Sequence, residues 1–207
     1  MRYVIGIDEV GRGSLAGPLF VAAAAIPSNL RFRKNLKDSK GLSAKQREEW
    51  FQKLKSHPKV KFAISKIYPR AIERKNVSRA ANLAALRAFN SLTTRHSLLP
   101  TRCKIFLDGG LYLGNSKNYQ HKSAKNQRTS AITLIKGDEK INAIKIASII
   151  AKVSRDKLMT RLARKYPAYK FETHKGYGTR THYAAIKKFG PSEIHRRTFI
   201  KIYLTPR

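Results

Sequence analysis

The chain has 207 residues, with 44 Lys and Arg against 12 Asp and Glu and a formal net charge of +32 at pH 7. Solubility does not require so much charge, so the composition indicates a polyanionic partner, either nucleic acid or an anionic membrane surface. The longest apolar stretch, residues 15–26, is too short to span a bilayer, and no basic amphipathic helix with a continuous aromatic face is present. We therefore predict a nucleic-acid partner and no membrane contact.

The length fits one domain spanning residues 1–207. Cys103 is the only cysteine, which excludes an internal disulfide, and the N-terminus lacks a charged head followed by a long apolar region. These features favour a cytoplasmic protein. The six histidines have no zinc-type spacing with one another or with Cys103, so the sequence does not predict a structural zinc site.

Two adjacent acids end the first apolar run. Residues 3–8 and 19–26 predict two strands joined as a hairpin, and their nearly continuous apolar character indicates a sheet covered on both faces. Asp8 and Glu9 lie at the tip of the first strand, where ionised acids repel each other unless a cation holds them, and Mg²⁺ prefers such oxygen ligands. Strand neighbours point to opposite faces, so both acids serve one site only if the chain turns there, as the nearby glycines permit.

The next segments predict two helices around a strand. Ser43 and Gln46 fit a capping box that begins a helix, and Pro58 ends it. Residues 60–68 predict a strand, and residues 78–92 predict an alanine-rich helix. We expect one face of that helix to carry Leu83, Leu86 and Asn90.

Two later strands also end in acids. Residues 104–107 predict a short buried strand that leads to Asp108, and residues 131–135 predict a strand that is followed by Asp138. Between them, residues 114–129 are polar and basic and predict a long loop that is either functional or mobile. The helix that follows has an apolar face made of Ile146, Ile149, Ile150 and Val153. A last short helix is predicted from His182 to Phe189, ended by Gly190-Pro191.

The acids share one setting, a strand end beside glycine. In an α/β sheet such positions converge on one edge, where a site can form. The alternative is that Asp108 and Asp138 only cap turns or helices, as Asp beside Gly often does. Because Asp8 and Glu9 repeat the pattern, we favour one carboxylate cluster.

The glycines after Glu9 have two interpretations. Residues 11–16 match the dinucleotide fingerprint G-x-G-x-x-A, but Gly17-Pro18 breaks the helix that this motif requires, and the preceding acids would repel a pyrophosphate. We instead expect these glycines to allow the backbone to approach a nucleic-acid strand closely.

Two other positions are candidate substrate contacts. Lys40 follows Asp38 in a turn before the capped helix; we interpret Asp38 as a turn residue and Lys40 as a candidate phosphate contact. Tyr177 lies between two glycines in a cationic stretch, which suits stacking or a hydroxyl contact to a sugar, with simple packing as the alternative.

Six blocks together carry a resemblance to a known family. They are GIDEVGRG at residues 6–13, DSKGLS at 38–43, LDG at 107–109, KGD at 136–138, ASIIAKVSRD at 147–156 and HKGYG at 174–178. In this order, over nearly the whole chain, they resemble ribonuclease HII, the type 2 ribonuclease H. The sister type, ribonuclease HIII, is less similar, because it usually has an extra N-terminal domain, lacks the Gly-Arg-Gly triplet and tends to have Glu where this chain has Asp138.

The resemblance implies an α/β fold with a ribonuclease H-like mixed β-sheet flanked by helices and a helical, substrate-binding C-terminal extension over about residues 166–207. It implies an endoribonuclease that cuts RNA in RNA–DNA hybrids and at ribonucleotides embedded in duplex DNA. Cleavage 5′ to the ribonucleotide would leave a 3′-hydroxyl and a 5′-phosphate. Two Mg²⁺ or Mn²⁺ ions are implied as cofactors, and we expect a monomer.

Site residues follow from the resemblance position by position. The implied catalytic and metal-binding carboxylates are Asp8, Glu9, Asp108 and Asp138. The implied contacts to the ribose 2′-hydroxyl at the DNA–RNA junction are Gly11, Arg12, Gly13 and Tyr177. Asp156 is implied to be structural. Residues 114–129 are longer than the family needs and the net charge is above its usual range, so substrate preference transfers less directly than chemistry.

The competing interpretation is a non-catalytic basic protein that binds RNA or DNA, for which the charge alone would suffice. The acids separate the two interpretations, because a pure binder has no use for four carboxylates facing a polyanion.

Overall fold

The structure is a computed structural model that describes residues 2–32, 36, 39–113, 120–122 and 128–204. Its sheet has six strands in the order β3-β2-β1-β4-β6-β5. The strands are β1 (Tyr3–Val10), β2 (Leu19–Pro27), β3 (Lys61–Ile67), β4 (Cys103–Asp108), β5 (Gln120–Lys122) and β6 (Arg128–Leu134). β1, β4 and β6 are parallel, whereas β2, β3 and β5 each run antiparallel to their neighbours.

Eight α-helices accompany the sheet in the described part of the chain. They are α1 (Ala44–Ser56), α2 (Pro69–Lys75), α3 (Val77–Arg95), α4 (Gly137–Lys140), α5 (Asn142–Lys165), α6 (Phe171–His174), α7 (Arg180–Phe189) and α8 (Arg197–Leu204). Short 3₁₀ turns cover Ser39–Gly41, Pro100–Arg102 and Pro167–Tyr169. The predicted mixed sheet flanked by helices is confirmed.

The sheet is covered on both faces, as the apolar strands predicted. All nine residues of β2 are buried, and its alanines at 22–25 alternate between two cores. Ala23 and Ala25 face the core beneath α3, whereas Ala22 and Ala24 face the core beneath α5. Such small side chains let both helices approach closely; at Gly6 a Cβ would lie 2.1 Å from the backbone of Ala143 in α5.

The helix boundaries follow local signals. Ser43 and Gln46 form the predicted capping box of α1, with both reciprocal hydrogen bonds present. Asn76 caps α3 through its side chain, and Thr179 does the same for α7. Gly190 ends α7 with φ of +71°, a conformation that favours glycine.

Three sequence expectations were wrong in detail. The buried face of α3 is not the stripe of Leu83, Leu86 and Asn90: its buried residues are mainly alanines, with Phe89 and Leu92, because only small side chains let α3 lie close to the sheet. β1 does not turn at Asp8 and Glu9 but continues to Val10. β5 lies inside the segment 114–129 that was predicted to be a loop; the rest of that segment before Arg128, and Asp38, lie outside the described residues.

The chain after α5 packs on the second half of that helix and on the loop after β1. The shared core contains Leu15, Ala16, Met159, Ala163, Tyr169, Phe171, Ile186 and Ile200. This core ties residues near the N-terminus to the predicted extension. Among the described residues, no helix has the length and apolar character needed to cross a bilayer.

Candidate active site

The parallel strands bring the acids to one edge. Asp8 in β1 lies beside Asp108 at the end of β4, because Ile7 pairs with Leu107, and Asp108 pairs in turn with Leu134 of β6. Asp138 follows in α4, which is separated from the end of β6 by two residues. All four predicted carboxylates line one cavity of about 360 Å³. The same cavity is lined by every other predicted site residue, namely Gly11, Arg12, Gly13, Lys40 and Tyr177.

Asp8 is the most desolvated of these acids whose pKa is perturbed. It is only 6% exposed, and burial raises its pKa well above the ordinary value. The neighbouring Ser148 hydroxyl lowers the pKa, whereas the charges of Asp108 and Glu9 raise it further. Such a carboxylate is ionised at low cost only if a cation joins it.

Glu9 leaves the opposite face of β1, as strand alternation requires. Its Oε1 accepts a hydrogen bond from Arg12 Nη1 at 3.1 Å, and Arg12 Nη2 donates to Ser78 at the start of α3. Burial raises the pKa of Glu9, and Arg12 partly offsets that rise. Glu9 nevertheless lines the shared cavity, so both acids reach it without the turn that we had expected at this point.

Asp108 performs both of the roles considered from the sequence. Its Oδ1 accepts a hydrogen bond from the backbone N–H of Gly137 at 2.7 Å, which fixes the entry to α4. It also lines the cavity, where burial and the charge of Asp138 raise its pKa. The capping and cluster interpretations are therefore compatible.

Asp138 is 1% exposed, and its Oδ2 accepts a hydrogen bond from Lys40 Nζ at 2.8 Å. The Lys40 side chain is largely exposed, so this cation can exchange with another one at little cost. The structure thus places Lys40 against a carboxylate of the cavity, and its contact with a substrate phosphate stays a prediction.

The acids fit a hard divalent cation by their chemistry. Two of their buried oxygens, Glu9 Oε2 and Asp138 Oδ1, have no hydrogen-bond partner in the described structure. Carboxylate oxygens in this state are ligands that Mg²⁺ or Mn²⁺ would satisfy. Over the described residues no group of three acids, histidines or cysteines already surrounds one point. Arg12 contacts Glu9, and Lys40 contacts Asp138.

The loop after β1 forms the other wall of the cavity. Gly11 has φ of +85°, and a Cβ there would lie 2.2 Å from Arg155 Nε, so this position requires glycine for folding alone. Gly13 is exposed, and a Cβ there would meet nothing within 4 Å. Only Gly13 therefore matches the prediction that glycine keeps the surface open for a nucleic-acid strand.

Comparison with known proteins places the chain in a family. A family model described as Ribonuclease HII matches residues 5–202. The chain belongs to the ribonuclease HII family.

Ribonuclease HII relatives cover the chain almost completely. The protein from Pelagibacter ubique is 42% identical over 98% of this chain and 98% of its own length. The one from Caldicellulosiruptor bescii is 37% identical over 99% of this chain and 89% of its own length. The crystal structure of ribonuclease H2 from Pyrococcus horikoshii superimposes with a TM-score of 0.72 at 26% identity, covering 99% of this chain and all of that one. The predicted ribonuclease H-like fold is confirmed, and the chain, like its relatives, is a metal-dependent endoribonuclease.

Sequence reasoning about this ribonuclease HII chain missed several residues of the site. Ser39, Arg47, Ser148 and Lys152 also line the cavity. Arg155 and Arg196 lie wholly buried behind the loop. Arg155 had a detectable signal, because Ala147, Ala151 and Arg155 repeat every four residues and therefore share the buried face of α5.

Proposed function

We propose that this ribonuclease hydrolyses the phosphodiester 5′ to a ribonucleotide, both in RNA–DNA hybrids and at single ribonucleotides embedded in duplex DNA. The products would carry a 3′-hydroxyl and a 5′-phosphate. The observation that carries the proposal is the cluster of four carboxylates, with two unsatisfied buried oxygens, at one sheet edge of a chain with a net charge of +32. Acids at the centre of a cationic protein serve cation-assisted chemistry on a polyanion better than binding alone.

Asp8, Glu9, Asp108 and Asp138 would hold two ions, either Mg²⁺ or Mn²⁺. When bound, such a pair lowers the pKa of water and stabilises the charge that develops on the leaving 3′-oxygen. The charge of Asp108 raises the pKa of Asp8 and of Glu9, and the charge of Asp138 raises that of Asp108, so the four acids form one electrostatic group. Arg12 and Lys40, which now balance Glu9 and Asp138, would then become available to substrate phosphates.

Recognition of the sugar is assigned to Gly11, Arg12, Gly13 and Tyr177. Tyr177 is partly exposed on the cavity wall, with Lys152 Nζ 5.7 Å and Arg155 Cζ 5.3 Å from its ring centroid. Cations beside the ring favour its approach to a polyanion. Tyr177 would pack against the ribose and its hydroxyl would contact the 2′-oxygen, which a DNA strand lacks.

A charged groove supports the path of the duplex. A cavity of about 540 Å³ between α1 and α5 shares Arg47 with the catalytic cavity. Lys157, Arg161 and Lys175 add further positive charge to its lining. Residues 166–207 would complete the binding surface as a C-terminal extension. We further propose that the chain acts as a cytoplasmic monomer.

The test uses three duplexes of one sequence: all DNA, DNA with one ribonucleotide, and an RNA–DNA hybrid. The purified chain should cut the second and third in Mg²⁺ or Mn²⁺, but not in EDTA, and the products should accept ligation as 3′-hydroxyl and 5′-phosphate ends. Tight binding of all three duplexes without metal-dependent cleavage would establish the competing interpretation of a non-catalytic binder.

Metal binding is measured separately from activity. Mg²⁺ or Mn²⁺ should raise the melting temperature of the wild type, because an ion that binds only the folded state stabilises it. The shift should be lost in Asp8→Asn. An equal shift in both proteins would remove the carboxylate cluster as the metal site.

A further inference from the structure

Two arginines are the largest of the fully buried side chains in the described structure. Arg155 in α5 and Arg196 just before α8 are each 0% exposed. Arginine is almost never fully buried unless it is paired. Here every hydrogen bond that the two guanidinium groups make to described residues ends on a backbone carbonyl or on the Ser14 hydroxyl.

Arg196 holds the loop after β1 at three points. Its Nη2 donates to the carbonyl of Gly11 at 2.7 Å and to that of Gly17 at 2.9 Å, and its Nη1 donates to the carbonyl of Arg12 at 2.8 Å. The backbone N–H of Arg196 also donates to the Leu15 carbonyl at 2.7 Å. One planar side chain therefore spans both ends of the loop, residues 11–18.

Arg155 connects this loop to the turn that carries Tyr177. Its Nε donates to the Pro18 carbonyl at 2.9 Å, and its Nη2 donates to Ser14 Oγ at 2.9 Å. Its Nη1 donates to the carbonyl of Lys175, again at 2.9 Å. The backbone supports the same junction, because Leu15 N–H donates to the Gly176 carbonyl at 2.8 Å.

A contribution to the stability of the fold does not by itself explain why these two charged side chains are buried. Buried ionic groups are often replaced by apolar residues of similar volume with little loss, or even a gain, of stability. What an apolar residue cannot reproduce is the fixed fork of five donors, which sets the spacing of several carbonyls at once. Burial lowers the pKa of Arg155, and burial together with the charge of Arg155 lowers the pKa of Arg196 to about 9, so Arg196 is charged at neutral pH.

We propose that Arg155 and Arg196 are positioning residues for sugar recognition, which hold the loop of residues 11–18 and the turn bearing Tyr177 at a fixed separation. The inference rests on the proposed function, because it concerns how the same site distinguishes ribose from deoxyribose. Neither guanidinium contacts the substrate. The pair fixes the Gly11–Gly13 backbone relative to the turn that carries Tyr177, so the free enzyme is already organised for the sugar.

The experiment measures discrimination, not activity alone. In an Asp108→Asn background, dissociation constants are measured for an all-DNA duplex and for the same duplex with one ribonucleotide. Arg155→Met and Arg196→Met keep similar side-chain volume but remove the donors. Each should lower the preference for the ribonucleotide about tenfold while changing the affinity for all-DNA duplex less than threefold.

Matched variants separate positioning from stability. Leu92→Ala, in the core beneath α3 and away from the loop, should lower the melting temperature and leave the preference unchanged. Arg155→Lys keeps the charge but not the fork, so it should also lose most of the preference. Ser14→Ala removes one Arg155 hydrogen-bond acceptor at small cost to folding and should give a smaller loss in the same direction, which keeps the proposal testable if a Met variant fails to fold.

Each outcome has one meaning. A wild type without any preference for the ribonucleotide would refute the proposed function itself. A wild type with that preference, retained by the folded Met variants or by Arg155→Lys and Ser14→Ala together, would refute the positioning role alone.

Discussion

The carboxylate edge, the edge of the sheet that carries Asp8, Glu9, Asp108 and Asp138, brings negative charges together. The loop of residues 11–18 lies against two positive charges, Arg155 and Arg196. The two regions differ in whether these charged groups have hydrogen-bond partners. At the edge, the pKa values of Asp8, Glu9 and Asp108 are raised, and one buried oxygen each of Glu9 and Asp138 has no hydrogen-bond partner among the residues that the structure describes. Behind the loop, the buried cations Arg155 and Arg196 make hydrogen bonds to fixed carbonyls. Among the described residues, the acids at the edge lack partners for some of their oxygens, whereas every nitrogen of the two guanidinium groups behind the loop donates a hydrogen bond.

This difference distinguishes the edge, as a site that binds a ligand, from the loop, as the structure that supports it. A buried polar atom without a partner costs free energy, which an arriving ion can recover. A saturated network has nothing to gain from a ligand and instead resists displacement. We therefore expect substitutions at the edge to affect chemistry and to relieve repulsion, and substitutions at the loop to affect stability or discrimination.

The largest expected effect is at the edge. Asp108→Asn keeps the Oδ1 acceptor for Gly137 N–H but removes a charge that raises the pKa of both Asp8 and Glu9. Single-turnover cleavage should fall at least about 10³-fold, or roughly 4 kcal/mol in barrier. Duplex affinity should be unchanged or higher, and without metal the melting temperature should rise because repulsion is relieved.

Asp156→Asn is the control for that prediction. Asp156 pairs with Lys152 at 3.0 Å on the same helix, partly exposed, and was assigned a structural role. Its loss should lower stability by no more than about 1 kcal/mol and leave cleavage nearly unchanged. Near-wild-type cleavage by Asp108→Asn, or a large loss of rate in Asp156→Asn, would contradict the division of roles.

Gly11 and Gly13 test the same division of roles at the loop of residues 11–18. Gly11→Ala should destabilise the fold by about 2 to 4 kcal/mol, because a Cβ would clash with Arg155 at a positive φ. Gly13→Ala should change stability by less than about 0.5 kcal/mol. It should nevertheless weaken ribonucleotide-duplex binding about tenfold, near 1.4 kcal/mol, because the methyl group would project where the substrate backbone approaches. Melting curves and binding titrations of both variants check this; equal behaviour of the two would contradict it.

The positions of the acids at the carboxylate edge could be predicted from the sequence better than the contacts of the loop, and the reason is physical. Strand ends followed by glycine are local patterns, and parallel pairing brings them together whatever the rest of the chain does. The loop depends on contacts across the whole chain: Arg155 reaches Pro18, 137 residues away. Residue-type rules assign arginine to the surface. The four-residue repeat in α5 indicates that Arg155 lies on the buried face, but it does not identify the distant carbonyls that the guanidinium binds.

The prediction of the buried face of α3 was wrong for a related reason. Predicting the buried face of a helix from its periodicity relies on large apolar residues such as Leu83 and Leu86. At a helix that lies close to a sheet, the available space selects Ala80, Ala84 and Ala88 instead. That space is fixed by the partner surface, which includes the alanines of β2, and not by α3 itself.

Acid should destabilise a third saturated network, next to Tyr177. Ser192 N–H donates to His195 Nδ1, so His195 must donate through Nε2 to His182 Nε2 at 3.0 Å, and His182 Nδ1 then donates to the Tyr177 carbonyl. Further protonation of either ring places a proton on a nitrogen that already accepts one. Burial lowers the pKa of His182 and His195 to about 4.

These pKa values determine whether acid stabilises or destabilises the fold. The unfolded chain binds the protons near pH 6.5 and the folded chain only near 4, so stability is complete above 6.5 and is lost as the pH falls between these values. Each histidine contributes about 1.4 kcal/mol per pH unit in that window, or roughly 3 kcal/mol for the two histidines together at pH 5.5. Denaturant titrations from pH 7 to 5 measure this slope. His195→Gln should flatten it, whereas His57→Gln, at the end of α1, should not.

Substitutions at Tyr177 test what the preorganised loop recognises. Its backbone is fixed independently of its ring, since Tyr177 N–H donates to the His174 carbonyl and its carbonyl accepts from His182. Substitution therefore removes side-chain contacts without moving the turn. Tyr177→Ala should raise the barrier to single-turnover cleavage of a one-ribonucleotide duplex by about 1 to 3 kcal/mol, the range for lost aromatic stacking. Tyr177→Phe keeps the ring and should cost only about 1 kcal/mol, the value of one hydroxyl contact. If Phe is as poor as Ala, the hydroxyl alone reads the sugar; if all three proteins cut at the same rate, Tyr177 is packing and recognition rests on the loop backbone.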